Sequence, residues 1–97
     1  MPEVRLTPAA RADLLEIGRY TQRQWGAGQR TKYLKAFAGK FAELAQDQTG
    51  GRRRDDLRPG LWSARLGRHV IFFRRVSGDV EVLRVLHQAQ DFGRHLP

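Results

Sequence analysis

The side chains that could do chemistry lie mainly in the last third of the chain. Arginine stabilises the charge on a phosphate and histidine serves as a general acid or base, so Arg74, Arg84 and His87 are the residues to weigh for phosphodiester cleavage. In an extended strand, His87 shares a face with Val85, and Arg84 points to the opposite face. The facing of Arg74 depends on a strand register that the sequence does not fix. The spacing therefore permits a catalytic site without indicating one.

Other kinds of reactive site have no pattern in this sequence. It contains no glycine-rich phosphate loop, no nucleophile beside a base and no cysteine, which excludes disulfides and thiolate metal sites and suits a reducing cytosol. His69, His87 and His95 are too scattered in sequence to predict a metal site. Both tyrosines, Tyr20 and Tyr33, fall in segments with helical spacing, so no tyrosine is available near the C-terminus. The sequence predicts no cofactor and no metal.

Length and charge narrow the class of protein. Ninety-seven residues suffice for one domain, residues 1–97, with a modest core. The formal charge of +8 favours encounter with nucleic acid, acidic protein segments or anionic lipid, although surface arginines of no particular function would give the same value. Three arginines at 52–54 precede two aspartates, which is typical of a solvated loop, and direct nucleic-acid contact stays open. No apolar run is long enough for a signal peptide or a membrane span, so we expect a soluble, cytoplasmic protein.

Helical spacing covers the first half of the chain. Thr7 and Pro8 form a helix start, because threonine caps unpaired amides and proline suits the first turn. Apolar residues then recur with a helical period up to a break at Gly26-Ala27-Gly28, and again after it. They are Ala10, Leu14, Ile17, Thr21 or Tyr20, and Trp25 before the break, and Tyr33, Leu34, Phe37, Phe41, Leu44 and Ala45 after it. So short a break predicts an antiparallel helical hairpin with its aromatic stripe in the core.

A period of two replaces the helical spacing in the second half. Residues 61–66, 69–74 and 80–86 are predicted strands joined by tight turns, and the last two are apolar on both faces, which predicts that they are central. A short strand at residues 3–6 should join the sheet beside one of them, and residues 51–60 are predicted to form a loop. The fold class is therefore α+β in the order β-α-α-β-β-β, with a helical hairpin packed on one face of a small antiparallel sheet.

Four segments also resemble a known family in their content and order. The stretches LTPAARADLLEIGRY, GRRRDDLRPGL, GRHVIFFRR and VEVLRVLHQAQD span roughly residues 6 to 91 and resemble the ParE toxins, a branch of the ParE/RelE superfamily of bacterial toxin–antitoxin systems. No single segment is diagnostic, but the ordered set is specific. The resemblance implies a RelE/ParE-like fold. It also implies a toxin that inhibits DNA gyrase, is not itself an enzyme, and is held inactive by a ParD-like antitoxin.

The resemblance also points to individual positions. It assigns target binding or toxicity to five matched residues: Arg68, Arg74, Arg84, His87 and Asp91. The chain departs from the family at His69 and Phe73, where tyrosine is frequent, and at Trp62 and Gln90, where arginine is frequent. The basic groups missing at Trp62 and Gln90 put in doubt any function that depends on those two positions.

Each matched position has a structural interpretation as well. His87 could end its strand by bonding nearby backbone or Asp91, and the arginines could be solvated or pair with acidic residues at weak surface contacts. The acidic candidates are Asp55, Asp56, Asp79 and Glu81. An acidic antitoxin segment that folds on binding would meet outward-facing basic residues of the two helices. These are Arg11, Arg19, Arg23, Lys32 and Lys35.

Two other functions compete with gyrase inhibition. A RelE-like, ribosome-dependent mRNA endoribonuclease is the alternative within the superfamily, although the absent C-terminal tyrosine disfavours cutting. A toxin-derived binding module that has lost its toxicity is the third, since two basic positions of the family are missing.

Overall fold

The fold consists of two long helices laid on a five-stranded sheet, and the computed structural model describes residues 2–97. In chain order the elements are β1 (Val4–Leu6), α1 (Pro8–Trp25), α2 (Ala27–Gln46), β2 (Arg52–Arg53), β3 (Trp62–Leu66), β4 (His69–Val76), β5 (Asp79–His87) and α3 (Phe92–His95). The α+β class is confirmed, with a two-residue strand and a short C-terminal helix added to the predicted order. Within residues 2–97, no helix combines the length and the apolar character needed to cross a membrane.

Helix α1 begins where the sequence predicts, because Thr7 bonds in two directions. Its hydroxyl oxygen accepts a hydrogen bond from the Ala10 amide at 3.1 Å, and its hydroxyl donates to the Leu83 carbonyl at 2.7 Å. The first bond satisfies an amide that the helix leaves unpaired. The second attaches the start of the helix to β5. Pro8 occupies the first turn, where a missing amide costs nothing.

The predicted helical hairpin is confirmed, and a single residue joins its helices. Gly26 has φ 93°, a conformation that side chains rarely allow. Its amide donates to the Gln22 carbonyl at 2.8 Å, and its carbonyl accepts from the Arg30 amide at 3.1 Å. Gly26 therefore ends α1 and starts α2. The helices approach closely at Gly18, where an added Cβ would lie only 2.9 Å from Nε of Arg30.

The sheet has the order β1-β5-β4-β3-β2, so the two strands predicted to be central do have neighbours on both sides. Strands β2 to β5 pair antiparallel, whereas β1 runs parallel to β5, with Val4 opposite Val80 and Leu6 opposite Val82. The predicted first strand thus joins the sheet beside β5. The two long helices between β1 and the other strands supply the crossover that a parallel pair requires.

One part of the predicted loop at residues 51–60 forms a strand instead. Arg52 pairs with Ser63 and Arg53 with Trp62, which makes β2 an edge strand beside β3. The prediction of a continuous loop was wrong here, because two residues are too few to show a period.

Each face of the sheet has its own core. The helical hairpin covers one face, where Phe37, Ile71 and Phe73 are almost completely buried. Leu57 and Phe92 pack over the other face, which is centred on Phe72 and Leu86 and joined by Leu61, Val70, Leu83 and Leu96. This explains the apolar residues on both faces of β4 and β5.

The prediction that Trp25 belongs to the buried stripe of α1 was wrong. The side chain is 67% exposed, although Ile17 and Thr21, at helical spacing before it, are buried. Trp25 is the last residue of α1, and the stripe continues past the end of the core. Its ring contacts that of Tyr20 edge-to-face, at 6.3 Å between centroids.

Arg75 ties the end of α2 to the sheet. Its guanidinium donates to the carbonyls of Leu44 at 2.9 Å, Asp47 at 3.1 Å and Gly50 at 2.6 Å, and it lies 4.8 Å from the centre of the Trp62 ring. The last carbonyls of a helix have no partner within the helix, so this side chain satisfies groups that would otherwise need water. Arg75 therefore serves the fold rather than a binding surface.

Candidate functional site

The structure distributes the five predicted target-binding positions along the β4–β5 hairpin and the turn that follows it. Arg68 precedes β4 and lines a surface cavity together with His87. Arg74 is exposed near the other end of β4, roughly 20 Å from Arg68 at about 3.3 Å per residue. Asp91 is exposed before α3 and forms a long ion pair with Arg94 at 3.7 Å. The five residues therefore do not converge on one small site.

Arg84 is held by contacts within the fold. Its Nε and one terminal nitrogen donate to the two carboxylate oxygens of Asp13 at 2.7 and 2.8 Å, and the other terminal nitrogen donates to the His95 carbonyl at 2.8 Å. Asp13 also accepts from the Val85 amide at 2.9 Å. The Arg84 side chain is only 22% exposed and the Asp13 side chain only 13%. Arg84 thus joins β5, α1 and the C-terminal segment, and its partner Asp13 is not among the acidic residues considered from the sequence.

His87 ends β5 in a network with the following turn. The Ala89 amide donates to Nδ1 of His87 at 3.1 Å, and the His87 amide donates to the side-chain oxygen of Gln90 at 2.7 Å. Because Nδ1 accepts a hydrogen bond, the neutral ring carries its proton on Nε2. This matches the structural interpretation of His87, with Ala89 rather than Asp91 as the partner, and it leaves an Nε2 donor for a ligand.

A cluster around His69 was not predicted from the sequence. The Tyr33 hydroxyl lies 2.8 Å from Nδ1 of His69 and 3.2 Å from the Leu66 carbonyl. The His69 ring meets that of His87 edge-to-face at 5.4 Å between centroids. Gly67 permits this approach: its φ is 57°, and an added Cβ would lie 2.8 Å from the Tyr33 hydroxyl. The one available signal was the histidine at position 69, where the resembling family often carries tyrosine.

A register shift in the central hairpin brings the two histidines together. Phe73 pairs with Val82 but Phe72 pairs with Arg84, so Leu83 is an extra residue in β5. Beyond that point the register places His69 opposite His87. If Leu83 instead took a regular place in the ladder opposite Phe72, every later side chain of β5 would face the other side of the sheet.

Burial sets the charge state of this cluster. It lowers the pKa of the His69 imidazole below its ordinary value, and the nearby charge of His87 lowers it further. Burial also raises the pKa of the Tyr33 phenol. At neutral pH both groups are therefore uncharged, and the cluster is held by hydrogen bonds rather than by an ion pair.

The cluster forms the floor of a cavity of about 390 Å³ at the end of the helical hairpin. Trp25 and Tyr20 form exposed walls, and Arg68 and His87 supply polar groups. Within residues 2–97, no group of three or more His, Asp or Glu side chains could hold a metal ion.

A second concave surface, the interhelical groove, lies between the two helices and reaches Leu6 of β1. It has a volume of about 420 Å³ and an apolar lining that includes Leu14, Leu15 and Leu34, with Arg11 and Arg30 beside them. Arg30 was not predicted as a site residue.

The five predicted antitoxin-binding residues divide around this groove. Arg11 lines it, and Arg19 and Arg23 line a depression next to it that shares Arg30. Lys32 and Lys35 are exposed on α2 but do not line either surface. Arg19 is already paired with Glu16 at 2.9 Å.

Comparison with known proteins identifies the family. Residues 4–92 match the model of the ParE toxin of the type II toxin–antitoxin system parDE. The chain belongs to the ParE toxin family. It is 38% identical over 92 residues to Toxin ParE1 of Mycobacterium tuberculosis, with 94% of each chain covered, and 34% identical over 96 residues to Toxin ParE1 of Caulobacter vibrioides, with 99% of each covered. The ParE resemblance stated from the sequence is thereby confirmed.

Solved structures show the same fold. A chain of the chromosomal ParDE TA system from P. aeruginosa superposes with a TM-score of 0.76 at 22% identity, covering 90% of this chain and 96% of that one. A chain of the toxin–antitoxin complex RelBE2 from Mycobacterium tuberculosis superposes with a TM-score of 0.64 at 27% identity, covering 92% and 93%. The ParE-family chain therefore has a fold that both kinds of complex contain.

Replacing Asp13 tests whether its ion pair with Arg84 stabilises the contact between α1 and β5. Asp13→Asn removes the charge opposite the partly buried Arg84, and we expect the free energy of unfolding in urea to fall by about 2 kcal/mol. Glu16→Gln on the same helix is the matched control, since its pair with Arg19 is exposed and should contribute under about 0.5 kcal/mol. Equal losses of unfolding free energy in the two variants would contradict a stabilising role of the Asp13–Arg84 pair.

The lowered pKa of His69 predicts a pH dependence of stability. The unfolded chain takes up the imidazole proton near its ordinary pKa of about 6.5, whereas the folded chain takes it up at lower pH. Acidification through this range therefore favours the unfolded chain, and the free energy of unfolding should fall between about pH 7.5 and 5. His69→Gln should flatten this slope, because it removes the imidazole whose pKa is lowered on folding. An unchanged slope in His69→Gln would contradict the assignment.

Proposed function

We propose that this chain is a toxin that binds and inhibits DNA gyrase, acts without cutting RNA, and is neutralised by a ParD-like antitoxin in the cytoplasm. The family match names the parDE system, which supports an antitoxin partner. The observation that carries binding over cutting is the state of Arg84. Its guanidinium makes three hydrogen bonds within the fold, so it is not available to stabilise a cleaved phosphate.

The positions left for the target suit a large partner. Arg68 and Arg74 are exposed at opposite ends of β4, roughly 20 Å apart at about 3.3 Å per residue. One small ligand cannot reach both, whereas a protein surface can. His87 and Asp91 extend the Arg68 end of this surface, and Arg84 contributes by holding β5 in place.

The interhelical groove supports the antitoxin part of the proposal. An apolar channel with Arg11 and Arg30 along it fits a segment that carries apolar and acidic residues on one side. Arg19 and Arg23 continue the basic border next to it. Lys32 and Lys35 remain proposed contacts for a segment that extends across the outer side of α2.

A RelE-like endoribonuclease is the second candidate. It is favoured by the likeness to the RelBE2 complex and by the cluster of Tyr33, His69 and His87 beside Arg68, which contains groups able to transfer protons. Against it, Nδ1 of His87 is occupied by the Ala89 amide, and Arg84 is bonded to Asp13.

Two parallel assays separate the candidates. Purified protein is added to gyrase with supercoiled plasmid, and to translating ribosomes with a defined message. We expect cleaved DNA to accumulate in the first assay and the message to stay intact in the second. Cut message with no trapped gyrase would establish the endoribonuclease instead. Silence in both, from a sample that still binds its antitoxin, would leave a binding module without toxicity and would contradict the proposal.

Charge reversal tests the antitoxin surface. Changing Arg11, Arg19, Arg23, Lys32 and Lys35 together to glutamate should weaken binding of the antitoxin encoded beside this gene by at least about tenfold, because like charges then face each other. The triple change at Arg11, Arg19 and Arg23 should account for most of the loss, and the Lys32/Lys35 double change should account for the smaller remainder. Binding that is unaffected by all five changes would show that the antitoxin docks elsewhere.

A further inference from the structure

The cavity at the end of the helical hairpin has exposed aromatic walls. Trp25 is 67% exposed and Tyr20 is 52% exposed, while the phenylalanines of the chain are part of the two cores or pack against them. Large aromatic side chains left at the surface are enriched at the centres of protein interfaces. The cavity of about 390 Å³ between them is large enough for an aromatic ring. Its walls therefore have the form of a receptor for an aromatic side chain.

The polar groups of the cavity favour one negative charge. Arg68 lies at its rim, and His87 offers an Nε2 proton because its Nδ1 is occupied by the Ala89 amide. Among the described residues that line the cavity, none is acidic and Arg68 alone is permanently cationic. One guanidinium and one imidazole match a carboxylate, whereas a phosphate dianion would call for more positive charge.

The exposure of the walls indicates how the ligand is presented. A small molecule in a dedicated site buries most of its surface, and here two of the walls are themselves more than half exposed. A small ligand would therefore remain largely in water. A side chain carried by a partner protein differs, because the surrounding partner surface would cover Trp25 and Tyr20 at the same time.

We propose that this cavity receives an aromatic side chain of a partner protein, with an adjacent carboxylate of the same segment paired to Arg68 and His87. The inference rests on the proposed function only in taking the occupant to be a protein. The interhelical groove and the exposed Arg74 end of β4 are separate from the cavity, whereas Arg68 and His87 also belong to the proposed target surface. The cavity is therefore a defined pocket at the Arg68 end of that surface.

Capped peptides test this site directly. Acetyl-Ser-Phe-Glu-Ser-amide is titrated into the protein carrying Trp62→Phe, which leaves Trp25 as the only tryptophan and its fluorescence as the readout. We expect saturable binding, weakened at least about fivefold when the peptide phenylalanine becomes alanine or its glutamate becomes glutamine. Backbone amide NMR shifts should map to Trp25, Arg68 and His87.

Variants of the protein test whether the peptide binds in this cavity. Arg68→Gln should weaken binding at least about fivefold, and Trp25→Ala, followed by NMR, should do the same because the aromatic wall is lost. Both side chains are exposed or at the rim, so the fold should survive. Arg52→Gln is the matched control for loss of one exposed arginine, and it should leave the affinity unchanged.

Three results would overturn the proposal. They are the absence of binding at millimolar peptide, equal affinity for free phenylacetate, and tighter binding of adenosine monophosphate than of the peptide. The second would make the cavity a small-molecule site, and the third would make it a nucleotide site. The assay contains neither gyrase nor antitoxin, so its failure would leave the proposed function standing.

Discussion

The extra residue in β5 governs the arrangement of the whole central hairpin. Because Leu83 has no partner in β4, Val82 and Val85 both face the helices, while Leu83 and Leu86 both enter the second core. The irregularity is stabilised from α1, since the Thr7 hydroxyl bonds the Leu83 carbonyl and Asp13 bonds the Val85 amide. Strand β1 ends opposite Val82. Beyond that point the side chains of Thr7 and Asp13, instead of a strand, bond the backbone of β5. The His69–His87 contact and the division of these β5 side chains between the two cores follow from this one insertion.

The sequence predicted the features that depend on periodicity and local chemistry. Thr7 and Pro8 marked the helix start, glycine marked the hairpin, and apolar residues on both faces marked β4 and β5 as central. Features that depend on the pairing register between strands were not predicted. A strand pattern does not reveal one unpaired residue in nine, so the facing of His87 relative to His69 was beyond reach. For Trp25 the predicted helical spacing was right, but the prediction of burial was wrong because the core ends before this residue.

The positive charge of the chain is divided between structure and surface. Arg75 and Arg84 each make three hydrogen bonds with carbonyl or carboxylate oxygens, which uses the planar fork of the guanidinium as a structural bracket. Arg54 similarly bonds Asp56 with two nitrogens. Arg75 therefore counts toward the formal charge of +8 without adding to the basic surface that a partner meets, whereas Arg84 and Arg54 are already offset in that value by Asp13 and Asp56. What remains outward lies mainly on the helices and at the two ends of β4, which is why specific placement rather than total charge distinguishes the binding surfaces.

The parallel pair of β1 with β5 also has a consequence for biosynthesis. It joins segments that are 76 positions apart, as the Thr7–Leu83 bond shows, and it involves the first and last strands of the sheet. During translation the helical hairpin can form from local contacts as soon as it emerges, but β1 has no partner until β5 has been synthesised. Strand β1 must therefore wait, with its edge unpaired, until the residues of β5 have emerged from the ribosome. A finished sheet, and with it an ordered cavity and groove, exists only once β5 has been synthesised.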